Sequence, residues 1–119
     1  MSSWPIRLRR FAGRGRAAVA VAALLSSCAS SLREPTTADA ERLRASYGDV
    51  SLGELSKGRD RYVARCAGCH ALKDPGHVAP ERWRAEVRQM REKFGVVLEP
   101  AEGEAIVRYL EAMSSRGTR

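Results

Sequence analysis

The sequence predicts an all-α domain: three short helices within residues 51–119, behind a leader and a tether. Three observations predict it. No segment alternates apolar and polar residues with a period of two, as a half-buried strand would. Three segments instead repeat apolar residues at helical spacing. Each is bounded by capping residues, proline or glycine where a helix must start or stop. The chain has 119 residues and a net charge of +7, enough for one small domain.

The leader occupies residues 1–27. Its first part holds Arg7, Arg9, Arg10, Arg14 and Arg16 and no acid, and residues 17–25 are an unbroken apolar run of nine. A bilayer-spanning helix needs about 20 such residues, so a basic stretch followed by a short apolar run reads as an export signal. With five of the 21 basic residues in the leader, the remainder carries 16 against 14 acids, a net +2. That balance does not support a nucleic-acid-binding domain, which would show a basic stripe. Leu25-Ser26-Ser27-Cys28 resembles the lipobox of bacterial lipoprotein signals. The resemblance implies that the Cys28 thiol is lipidated, that the leader is cut before it, and that the acyl chains hold the protein to a bilayer. Ala29 in place of an aspartate points, by the same resemblance, to the outer membrane, with the protein facing the periplasm of the cell envelope.

Residues 28–50 are rich in Ser, Thr, Ala, Arg and Glu and poor in large apolar side chains, and they read as a tether. Local helix over 38–46 has only Leu43 to bury. A flexible chain of this length has a root-mean-square reach of about 25 Å.

The first domain helix starts at Ser51, which with Glu54 forms a capping box, and runs into Cys66. Leu52, Leu55, Tyr62 and Val63 share its apolar face. Pro75, Gly76 and Pro80 make residues 71–79 a loop. The second helix covers 81–94, with Pro80 at its start and Gly95 after its end. Trp83, Val87, Met90 and Phe94 fall at i, i+4, i+7 and i+11 on it, one apolar stripe against a charged face. Pro100 opens the third helix over 101–113, with Ile106, Tyr109, Leu110 and Met113 on one side.

Cys66-Ala67-Gly68-Cys69-His70 carries the chemistry. Two cysteines three apart, followed directly by histidine, read as a c-type haem attachment site. The thiols of Cys66 and Cys69 reach the two vinyl groups of one haem, and the neighbouring His70 supplies an imidazole nitrogen to the iron. A redox dithiol would sit in a βαβ setting, which is missing here. A zinc site would have to draw on His77 as a fourth ligand.

With these residues the chain resembles the class I c-type cytochromes, over roughly residues 52–113. Gly58, Tyr62 and Cys66 are spaced by four, as that family's glycine, aromatic and first haem cysteine are, and Ile106 and Tyr109 match the pair on its last helix. The resemblance implies one covalent haem c and a first and a last helix that cross where Gly58 lets their backbones approach. It also implies a proline carbonyl, from Pro75 or Pro80, that takes the Nδ1 proton of His70. Met90 is the expected distal ligand of the iron, placed by its stripe and by the Trp-x-x-x-Val-x-x-Met pattern of similar short cytochrome domains. Met113 and His77 are the alternatives. With both axial positions filled, the expected role is one-electron transfer between redox partner proteins, not enzymatic catalysis. A haem-based ligand sensor and a subunit of a larger oxidoreductase are the alternative roles.

Overall fold

Thr36 and Asp39 begin a helix inside the segment expected to be a tether. In the computed structural model, which describes residues 32–114, the Thr36 amide and hydroxyl both donate to Asp39 Oδ2 at 2.7 Å. This closes the first turn of α1, Thr37–Tyr47. The helix stops at Gly48, whose φ of 70° is one that side-chain-bearing residues rarely adopt. Residues 32–50 are therefore part of the folded unit, which begins at Leu32. The leader over 1–27 and Cys28 lie outside the described residues.

Helix α1 is held by contacts far away in sequence. Its apolar contribution is small: Ala40 and Leu43 are buried, with Leu32 and Val50 beside them. Polar contacts add the rest. Arg42 Nη2 donates to the Ala112 carbonyl at 3.3 Å, and the Tyr47 hydroxyl donates to Glu111 at 2.6 Å. Asp39 is fully buried. An isolated buried carboxylate would be prohibitive, but Thr36 and Arg42 both partner it.

Helix α2, Leu52–Cys66, opens on the expected capping box: Glu54 N–H donates to Ser51 Oγ at 3.2 Å, and Ser51 N–H donates to Glu54 Oε2 at 2.8 Å. The Ser51 amide holds the Glu54 carboxyl below its usual range. Leu55 and Tyr62 are buried as the spacing predicts, whereas Leu52, at the helix's first residue, stays exposed. Two short 3-10 turns follow, Pro75–His77 and Pro80–Arg82. Helix α3 spans Trp83–Phe94 and α4 spans Pro100–Ser114. Gly95 closes α3 with φ 69°, and Val96 N–H turns back to the Met90 carbonyl at 3.1 Å. All regular structure among the described residues is helical. None of these helices is long and apolar enough to cross a membrane.

The core forms where α2 packs on α4, around Leu55, Tyr62, Ile106, Tyr109 and Leu110. Gly58 sits at that contact. A Cβ there would overlap the Ala105 carbonyl and lie 2.9 Å from Tyr109 Cβ. A second anchor is polar. Trp83 Nε1 donates to Ser114 Oγ at 2.6 Å, and the Ser114 hydroxyl lies 2.9 Å from the Pro75 carbonyl and 2.8 Å from that of Leu110. Ser114→Ala strands the buried indole N–H, at a cost of about 1–3 kcal/mol. Chemical denaturation should show that loss, with little change in the slope of the transition.

Candidate functional site

Helix α2 delivers Cys66 as its last residue, and the chain then turns through Ala67, Gly68 and Cys69 to His70. A side chain at Gly68 would meet no protein atom within 4 Å, so this turn faces open space on that side. Cys66 is half-buried and Cys69 exposed, and both are free thiols. Burial pushes the Cys66 thiol up, and Cys69 nearby adds to it. His70 Nδ1 lies 2.8 Å from the Ala71 carbonyl. A carbonyl only accepts, so Nδ1 is the donor here, and in the neutral imidazole the lone pair is then on Nε2. That is the tautomer an iron-ligating imidazole needs. The acceptor differs from the proline carbonyl implied by the resemblance; Pro75 O faces Ser114 instead.

Two adjoining clefts open beside this turn. The first is lined by Cys66 and His70 from the end of α2, by Val87 and Met90 from α3, and by Ile106 and Leu110 from α4. The second extends it past Cys69 and Phe94, and the two share Cys66, His70, Met90 and Val96. The space they enclose is about 40 Å³ in the first and about 240 Å³ in the second, each smaller than the roughly 300–1,000 Å³ of ligand pockets. Large apolar side chains stand open at this end of α3: Phe94 is 64% and Val97 77% exposed.

The cleft's position follows from its neighbours. Tyr62, from α2, packs edge-on to Trp83 with ring centroids 6.4 Å apart. Its hydroxyl donates to the Lys73 carbonyl and accepts from the Lys73 amide, both at 3.1 Å, which ties down the chain leaving His70. Burial pushes the Tyr62 hydroxyl up to about 12, so it stays a neutral donor. At the cleft wall Lys73 Nζ pairs with Glu86 at 2.9 Å, linking that chain to α3.

The candidates for the second axial position separate by location. Met90 lines both clefts. Met113 is buried in the core, away from the cleft walls. His77 is exposed on its 3-10 turn, with Nδ1 3.6 Å from Asp74. Among the described residues no three His, Cys, Asp or Glu side chains converge as a metal-holding group, so the set of Cys66, Cys69, His70 and His77 that zinc would require is not assembled. Cys66, Cys69, His70 and Met90, two thiols, an imidazole and a thioether, do line the second cleft together. This donor set fits a covalently attached haem.

Several contributors had no signal in the sequence. Lys73 and Glu86 are 13 residues apart with no periodic relation, and Val96 and Leu98 reach the cleft only because Gly95 reverses the chain. Arg84 is engaged by Glu104 at 2.6 Å and by the Tyr47 hydroxyl at 3.1 Å, and it holds the Glu104 carboxyl below its usual range. Comparison with protein-family models, curated proteins and solved structures finds no match for this chain.

Proposed function

We propose that this chain is a lipid-anchored, monohaem c-type cytochrome that carries single electrons between redox partner proteins at the periplasmic side of the cell envelope. The observation that supports this most is that the Cys66–His70 turn and Met90 face the same apolar cleft. Cys66 and Cys69 would form the two thioethers. His70, oriented by its Nδ1–H bond to Ala71, would offer Nε2 to the iron, and Met90 its sulfur. Cys28 would carry the lipid. When bound, haem supplies the ferric/ferrous couple: an electron taken from a donor protein passes to an acceptor protein, and no bond at iron forms or breaks. The protein's own residues keep that couple simple. Ile106, Leu110 and Trp83 exclude water from the inner wall, and His70 and Met90, both holding the iron, would leave small ligands no place to bind.

Optical spectra test this reading. Purified protein should be low-spin in both oxidation states, unreactive to carbon monoxide, and should show the weak near-red sulfur-to-iron band when oxidised. Met90→Ala should abolish that band and lower the reduction potential by on the order of 100 mV, since axial ligands tune haem over roughly 0.8 V. An unchanged spectrum removes Met90 from the account. Wild-type iron that is high-spin and takes up carbon monoxide identifies a ligand sensor and contradicts the carrier.

A further inference from the structure

The packed unit starts only a short way past the cysteine proposed to hold the lipid. Leu32 is buried and its carbonyl accepts from Arg59 Nη2 at 3.3 Å. The Arg33 carbonyl accepts from the Tyr109 hydroxyl at 3.1 Å. Glu34 pairs with Arg59 at 3.0 Å, and α1 follows at once, fastened to α4 through Arg42 and Tyr47. Between Cys28 and this strap stand only Ala29, Ser30 and Ser31. Even fully extended, the span from Cys28 to Leu32 is about 14 Å. A folded unit of this size is about 30 Å across. A lead shorter than its own radius does not let the unit turn over freely.

We propose that, on the lipid-anchor reading above, residues 32–47 clamp the haem domain flush against the phospholipid surface in one orientation. The face turned to the headgroups is the one where the strap begins: Leu32 and Arg33, the middle of α2 at Arg59, and the Pro75–His77 turn, where Arg33 lies against Gly76. The face turned away is the α3/α4 groove at Arg91 and Val107. Val107 and Tyr109 lie about 200° apart around α4, so this groove and the start of the strap at Leu32–Glu34 occupy opposite sides of that helix; α1 then runs round to the groove side, where Tyr47 meets Glu111 and Arg84. Cys66 lies seven residues beyond Arg59, about 10 Å along α2. The haem cleft is thus held close to the membrane at a set height, and its partners must meet it there; it does not swing out on a long tether.

Site-directed nitroxides on the full-length, haem-loaded, lipidated protein in vesicles test this, with a nickel chelate carried on the lipid headgroups as the relaxing agent. In the haem-loaded, acylated form Cys28, Cys66 and Cys69 are all consumed, so Arg33→Cys and Arg91→Cys each offer a single thiol. The label at 33 should relax several-fold faster than the label at 91. A 20-residue Gly-Ser insert between Ser31 and Leu32 should bring the ratio close to one. Equal relaxation without the insert, on protein whose mass shows an acylated Cys28 and one haem, overturns the clamp alone. A mass without acyl chains overturns the clamp together with the anchor, and free thiols at Cys66 and Cys69 overturn the haem assignment separately.

Discussion

Cys66→Ser combined with Cys69→Ser is expected to yield a protein that loses its haem on denaturing gel electrophoresis and is much less stable than the wild type. Both effects have the same origin. The cleft walls, Val87, Met90, Leu98 and Ile106 among them, are apolar, and Phe94 beside them is largely exposed. A small domain has little other apolar area to bury. Leaving these walls without their ligand costs at least as much as truncating one large core side chain, about 3–5 kcal/mol. In a domain of this size that corresponds to a fall of roughly 20 °C in the melting midpoint. Either single cysteine variant should keep one thioether and fall between the extremes. Thermal unfolding with in-gel haem staining checks both parts. A double variant as stable as the wild type would show that the cleft has no ligand to lose.

Gly58→Ala should be the most damaging substitution outside the site. Alanine normally favours a helix over glycine by about 1 kcal/mol, so the sign here is set by packing. The added Cβ would overlap the Ala105 carbonyl and press on Tyr109 Cβ. Backbone is on the other side of that clash, so no side-chain rotation relieves it. The helices must separate, and α2 with α4 forms the core on which Cys66 is mounted. The expected loss is about 3 kcal/mol, the upper end of what core overpacking costs. Gly103→Ala is the control: a Cβ at Gly103 meets nothing within 4 Å, and that variant should gain up to about 1 kcal/mol. Urea midpoints of the two variants should move in opposite directions.

The parts of the fold legible in the sequence were those dictated locally. Ser51 and Glu54 announce α2 because a capping box is a four-residue event. Gly95 announces the end of α3 because a left-handed residue is needed there. The Trp83–Val87–Met90–Phe94 stripe is legible because helical periodicity is a property of the chain itself, whereas the close packing at Gly58 was implied only by the resemblance to class I cytochromes. That α1 packs into the folded unit, and is not a local helix within a tether, escaped for the converse reason. Its apolar stripe is little more than Ala40 and Leu43, and its stability comes from Arg42 on Ala112, Tyr47 on Glu111 and the neutralised Asp39, contacts that span up to 70 residues. The site divides the same way. Its candidate donors are contiguous or periodic and so stand out in the sequence, whereas the Lys73–Glu86 pair and the Ala71 acceptor of His70 depend on how the loop closes.

The account stands on haem being covalently held by the turn that ends α2. Mass and visible spectrum of the protein, purified from membranes of a host able to mature c-type cytochromes, test that most directly. The account predicts red protein with one haem per chain, linked through Cys66 and Cys69. Colourless protein in which both thiols remain open to alkylation would contradict it.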